Sequence, residues 1–458
     1  MRAVLLALLL VGCMEGARYV PPPVNRIHPA SPIEATDVDP DPKTVHVHLR
    51  AAAKVHDTEQ GPLQGYAYND GLPGPTIRAR LGDRLVVDLE NAMDVSTTIH
   101  WHGLKVPYAM DGVTWQSAPV LAGGAFTYSF TLTQAGTFWY HPHFDSAHQV
   151  DGGLYGALIV EDPADPLPDE ELVLIFDQWN EAPMSSGGKH DDGHDHTAGH
   201  THDHGLGTLT AHWIVNGQTE PFVHVEAGHS VRVRMINASN AGYLDLRWPG
   251  IRHIASDQGL LAALSEPTGL VLAPGDRADV EWLVGGAGFA VTTAPWSLNG
   301  GAATGPEQTL LTVEAVGTAA APSPLAWPFS GLRPTPDPPW SDITYVLTGS
   351  AIGGQWLING EAFPNVTLHE IAAGATAVIE VRNLSSTEHP FHLHGVPFEV
   401  LSVDGVAPKW LTIEDTLNIA IRQTVRLRVV GDNPGDWMAH CHILTHADQG
   451  MMTVLRIH

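Results

Sequence analysis

One phrase, met three times along the chain, restricts the fold more than any other feature. Asn69-Asp70-Gly71 leads through Gly82-Asp83 into Leu85-Val86-Val87-Asp88-Leu89-Glu90-Asn91. Val215-Asn216-Gly217 leads through Ala227-Gly228 into Val231-Arg232-Val233-Arg234-Met235-Ile236-Asn237, and Ile358-Asn359-Gly360 through Ala373-Gly374 into Ala377-Val378-Ile379-Glu380-Val381-Arg382-Asn383. A turn, a glycine and an alternating strand ending in Asn thus return about every 145 residues, which marks a repeated unit. Short alternating segments begin at Thr44-Val45-His46-Val47-His48-Leu49, are punctuated by Gly, Pro and Asp, and leave no long amphipathic helix. The expected class is all-β, with three consecutive Greek-key β-sandwich domains.

At 458 residues the chain is too long for a single ordinary core. Composition shifts place the first domain at 43–163, the second at 168–317 and the third at 340–458, with a proline-rich linker at 318–339. Residues 1–13 carry one arginine and an apolar run too short to span a bilayer, so they read as a signal peptide. Leu10-Val11-Gly12-Cys13 resembles a bacterial lipoprotein processing box, with ordinary cleavage further on as the alternative. Residues 14–42, rich in proline and turn formers, read as a tether. The expected location is therefore exported, periplasmic or in the cell envelope. A monomer is expected, with lipid on Cys13 as its one membrane attachment.

Lys plus Arg of 23 against Asp plus Glu of 50 gives a net charge of −27, which repels nucleic acid and anionic membrane surfaces. The only cysteines are Cys13 and Cys441. Lipid on the first leaves the second as a lone thiol in an oxidising compartment, and metal ligation would protect it.

That thiol lies in Trp437-Met438-Ala439-His440-Cys441-His442-Ile443-Leu444-Thr445-His446, followed by Gln449-Gly450-Met451-Met452. Two imidazoles and a thiolate with a long axial methionine suit an electron-transfer copper; Cys441, His446 and Met451 offer three of the four. On a strand His440 and His442 point one way and Cys441 the other, so one tripeptide can serve two sites. Further pairs stand in His100-Trp101-His102-Gly103, His141-Pro142-His143 and His389-Pro390-Phe391-His392-Leu393-His394-Gly395. Context separates these from His46/His48 and from the pairs in residues 189–205, because ligand imidazoles need a dry, fixed shell.

In order and spacing the four motifs resemble those of the multicopper oxidases, laccase-like and cuprous-oxidase-like, and the repeated unit resembles a cupredoxin domain. The resemblance implies four copper ions: a type 1 ion on His389, Cys441, His446 and axial Met451, and a type 2 ion on His100 and His392. Two type 3 ions would take His102, His141, His143, His394, His440 and His442. It implies electrons passing from a small donor, a metal ion such as Cu(I) or a phenol, through Cys441 to dioxygen. Met452 falls on the other strand face and reads as core.

Asp111, in Tyr108-Ala109-Met110-Asp111-Gly112, stands where relatives place a carboxylate near the cluster, and equally suits an Asp-Gly turn. Where many bacterial relatives have Glu-Asp after the histidine equivalent to His446, this chain has Ala447-Asp448, so Asp448 or solvent would have to relay protons. The motifs lie in domains one and three, which makes domain two a spacer. Its insert at 189–205 holds six histidines and four aspartates and suits loose binding of divalent metal. A second reading is an exported copper-binding or tolerance protein that works through this insert.

Overall fold

The computed structural model describes residues 26–58, 61–115, 117–179, 212–350 and 355–458. The expected signal peptide, Cys13, residues 14–25 of the tether and the His-rich insert lie outside these. Among the described residues three sandwiches follow one another, each made of two sheets. In each, the opening strand lies parallel to the strand that ends in the repeat Asn: Thr44–Thr58 with Arg84–Asn91, Glu170–Trp179 with Ser230–Asn237, Ile343–Ser350 with Thr376–Asn383. Parallel neighbours need a crossover, and here it produces the Greek-key order.

The repeat has a hydrogen-bond explanation. Asn69, Asn216 and Asn359 all adopt positive φ, which Asn tolerates, at the tip of a tight turn. Each side chain then substitutes for a strand partner: Asn69 accepts from Arg50 N and donates to His48 O, and Asn359 treats Val346 N and Thr344 O in the same way. The strand-ending asparagines form a second set. The amide groups of Asn91, Asn237 and Asn383 are buried, each donating to one carbonyl of the loop that follows and one about 30 residues further on, and accepting a backbone N–H two residues on. Buried backbone groups must find partners, and one asparagine per domain does this where the strand stops.

Apolar side chains of alternating strand positions fill one core per sandwich, around Trp101, Trp248 and Trp437. A ladder of buried ions joins the first two domains: Arg78 with Glu34, Glu161 and Glu171, Arg234 with Glu171 and Asp279. Such pairs orient the domains more than they stabilise them.

One expectation is corrected here. The described part of the tether, residues 26–42, is bound along domains one and two, with a His28 N to Glu171 O bond of 2.8 Å and an Ala35 N to Thr76 O bond of 2.7 Å. It needs no apolar periodicity because strand-edge backbone groups hold it. The linker likewise lies against its neighbours, with Trp327 buried and Thr335 bonded to Glu399. The C-terminal tail leaves its strand after Cys441. A short helix at Leu444–Asp448 turns the chain back after Gly435–Cys441.

Candidate metal centre

Gly435–Cys441 pairs with His389–Leu393 so that Phe391 faces Cys441 and His392 faces His440. Directly paired residues share a sheet face, so Cys441 and His389 project to one side and His440 and His392 to the other. The helix at Leu444–Asp448 then swings His446 back beside the thiol. Cys441 Sγ lies 3.3 Å from His389 Nδ1 and 3.7 Å from His446 Nδ1, with the two nitrogens 3.3 Å apart. Met451 is buried in the same core, its N–H bonded to His446 O and its carbonyl to Cys441 N. Met452, expected in the core, is half-buried beside a small satellite cluster with Met438 and Val454.

Burial drives the chemistry of this pocket. It pushes the Cys441 thiol far above its usual range and the His389 imidazole down to about 3. A dry pocket of neutral lone pairs and a thiol that cannot ionise unaided is what a soft cation stabilises. His389 donates its Nε2–H to Ser385 Oγ at 2.6 Å, and Ser385 is held in turn by the strand-ending Asn383 at 2.7 Å. The repeat asparagine therefore fixes a ligand ring. Trp356 stacks on His446 at 3.9 Å between ring centroids and covers its outer side.

On the other face of the tripeptide, eight imidazoles from the two ends of the chain meet. His100 and His102 lie on one strand, with His141 directly opposite His100. The Nε2 atoms of His143 and His394 lie 3.4 and 3.0 Å from that of His440, and these three form one potential ion site. The rings of His102, His141 and His442 form another set, with centroids 4.8 to 5.7 Å apart. His100 and His392 face each other at 5.8 Å.

Hydrogen bonds set the tautomers. His100 and His392 donate Nδ1–H to the carbonyls of Asp111 and Asp415, His141 to Pro142 O, His440 to Cys441 O, and His394 to Asp111 Oδ2 at 2.8 Å. Their Nε2 atoms are thus bare lone pairs aimed at one another. Those of His100, His141 and His392 have no partner, and neither do Nδ1 of His102 or either ring nitrogen of His442. Buried polar atoms without partners are costly, and lone pairs 3.0 Å apart repel. Metal cations resolve both problems, so these residues fit the copper ions that the motifs imply.

Asp111 follows a single turn at Tyr108–Met110 and is fully buried, its carboxylate 2.8 Å from His394 Nδ1 and 3.3 Å from His100 Nδ1. Asp448, by contrast, accepts the Ala147 N–H at 3.1 Å, at the start of the helix Ser146–Asp151, so it joins domains rather than reaching an imidazole.

The reading of domain two as a spacer is corrected. Its Arg277, fully buried, donates to Thr137 O of domain one and forms a two-pronged pair with Asp415 of domain three. Asp415 in turn lies 3.1 Å from His102 Nε2 and 3.4 Å from His392 Nδ1. Burial opposes a charge on Asp415, yet the Arg277 guanidinium holds it well below the usual carboxylate range. Gly275 of the same loop has φ +91°, and a Cβ there would lie 2.9 Å from the His442 ring, so only glycine lets this backbone reach the cluster. Sequence reasoning also missed Ser385, Trp356 and Thr416, whose hydroxyl lies 3.1 Å from both His102 Nε2 and His392 Nδ1. None belongs to a metal-ligand residue type, and Asp415, at the bend between the strands Ile413–Glu414 and Thr416–Ile419, differs from other carboxylates only in its neighbours.

Two multicopper oxidase family models match the chain, over residues 51–165 and 334–458. A multicopper oxidase of Staphylococcus aureus is 30% identical over 409 residues, covering 85% of this chain and 83% of its own. The chain belongs to the multicopper oxidases. One from Mycobacterium tuberculosis is 28% identical over 430 residues, covering 86% of this chain and 84% of its own. Among solved structures, a Campylobacter jejuni multicopper oxidase described as a metallo-oxidase aligns with TM-score 0.77 and 25% identity over 94% of this chain and 95% of its own. This multicopper oxidase is accordingly an oxidoreductase that uses copper, a reducing substrate and dioxygen, and its three sandwiches are cupredoxin domains.

Proposed function

We propose that the protein oxidises a small donor one electron at a time, Cu(I), another metal ion or a phenol, and reduces dioxygen to water with four electrons, using four copper ions. One observation carries this reading: the tripeptide His440-Cys441-His442 presents its sulfur to His389 and His446 on one side and its imidazoles to the eight-histidine cluster on the other. Copper bound at these residues supplies the one-electron steps and the chemistry of dioxygen. His389, Cys441, His446 and Met451 would hold one ion, and His100 with His392 a second. The trios His102, His141, His442 and His143, His394, His440 would hold the remaining pair.

The chain's own contribution is to fix and insulate these groups. The backbone between Cys441 and His440, reinforced by the His440 Nδ1–H bond to Cys441 O, is a short connection between the two sites. Asp111 holds the Nδ1–H of His394 and is the carboxyl placed to pass protons toward the imidazoles it touches. The edge of His446, backed by the buried Trp356, is the ligand edge nearest to which a donor would dock, in an outer-sphere contact that needs no deep pocket. The metal-oxidase alternative draws support from the C. jejuni relative. We further propose export with lipid on Cys13, from the apolar run before it and the economy of thiols.

Oxygen uptake with Cu(I), Fe(II), Mn(II) and a methoxyphenol tests the reading. One dioxygen consumed per four donor electrons, with no peroxide, is expected for at least one donor. Uptake that ends in peroxide, or none with any donor, contradicts it.

A further inference from the structure

His46 and His48 fall outside the four ligand motifs, and the structure gives them a setting of their own. They stand two residues apart on Thr44–Thr58, so both rings leave the same face of the strand. That face belongs to the sheet of domain one that pairs Thr44–Thr58 with Arg84–Asn91, whereas His100, His102 and His141 lie on the other sheet of the sandwich. His48 pairs in register with Asp88 on the neighbouring strand, and Asp88 with Thr127 beyond it.

The side chains converge. Asp88 Oδ2 lies 2.7 Å from His46 Nε2 and 3.3 Å from His48 Nδ1, and the two ring centroids are 5.1 Å apart. The second carboxylate oxygen, Oδ1, accepts the Thr127 hydroxyl at 2.6 Å, which turns Oδ2 toward both imidazoles. A hydrogen bond that orients a ligand from behind is a regular feature of built metal sites. The His46 N–H is also anchored, on Asp37 Oδ1 at 2.9 Å, so the strand carrying the first ring is fixed. The exposed pair of His224 with Glu314, by comparison, brings one imidazole to one carboxylate.

We infer that His46, His48 and Asp88 form a peripheral site for a borderline divalent cation, Zn(II), separate from the oxidase coppers. Two imidazoles and a carboxylate are the donor set such ions favour, with a fourth position left to water. Ligand bonds of about 2.0–2.2 Å in a tetrahedron put donor atoms roughly 3.4 Å from one another. The two measured separations lie within an ångström of that, and the side chains have room to adjust, His48 being 62% exposed. Nearby cations do not occupy the place: Arg84 is engaged by Ser129 and Arg50 by Glu90. This exposure makes the site exchangeable, in contrast to the buried copper cluster behind the core.

Crystals of the copper-loaded protein soaked in Zn(II), with anomalous data above and below the zinc edge, locate the ion directly. The expected result is a zinc peak between His46, His48 and Asp88 that disappears in both His48→Ala and Asp88→Asn. Copper content and the visible spectrum should stay unchanged in each, which also reports that the variants fold. In solution, His48→Ala should bind one Zn(II) fewer per chain than wild type, and the His-rich insert is the same in both. No peak in wild type, a peak that survives both substitutions, or equal zinc stoichiometry overturns the inference.

Discussion

The pocket around Cys441 and the cluster beside it share a tripeptide but are assembled differently. His389, Cys441, His446 and Met451 all come from the third domain, with Cys441 and Met451 in its hydrophobic core and the two imidazoles against the thiol, so folding that domain builds the pocket. The cluster draws His100, His102, His141 and His143 from domain one and His392, His394, His440 and His442 from domain three. It also leans on Arg277 and Gly275 of domain two. One site is a property of a domain and the other of an assembly. Damage at the domain interfaces should therefore separate them.

The largest separation is expected from the ligands themselves. Cys441→Ser should abolish both the blue absorption and donor oxidation, whereas His143→Ala should keep the absorption and lose dioxygen reduction. Parallel loss of both signals in His143→Ala, measured by visible spectroscopy and oxygen uptake, would break the distinction. Next is the link through which Arg277 of domain two supports the cluster, its pair with Asp415 of domain three. Asp415→Asn should weaken cluster copper or turnover by about 10–100-fold while the blue absorption remains, because the carboxylate that lies 3.1 Å from His102 and anchors Arg277 is changed, whereas the Asp415 carbonyl that accepts from His392 is kept. Copper analysis and oxygen uptake check this, and a variant that loses the blue signal instead would place Asp415 with the wrong site.

Acid should act on both regions through one sign. Burial lowers the imidazoles of His389 and His440 to about 3, so the unfolded chain binds more protons than the folded one below the ordinary value of 6.5. The copper-free protein should lose stability steadily as pH falls from 6.5 toward 3, as read from thermal midpoints. A flat profile over that window would mean the imidazoles are not held neutral. The smallest effect is local: Ser385→Ala removes one hydrogen bond to His389, worth about 1 kcal/mol, or roughly 40 mV for one electron. Redox titration of the blue signal should move by no more than that, with the cluster untouched.

The same contrast explains what a single sequence discloses. The repeat asparagines and alternating strands made three sandwiches legible because their cause is local, a turn and a buried amide. The ligand histidines stood out as pairs because period two puts both rings on one face. Asp415, Arg277 and Ser385 did not, since their roles depend on residues 138 and 4 positions away that only the fold supplies. The helix at Leu444–Asp448 escaped notice because five residues carry too little periodicity. Residues 26–42 looked like a tether because backbone pairing, rather than apolar side chains, holds them.

Copper counting combined with electron paramagnetic resonance on the fully loaded, oxidised protein tests the central claim most directly. The account predicts about four copper ions per chain, of which two are visible, one with the narrow splitting of a thiolate site and one ordinary, while the remaining pair is silent through mutual coupling. A single visible copper at Cys441 with nothing else bound, or four independent visible ions, would contradict it.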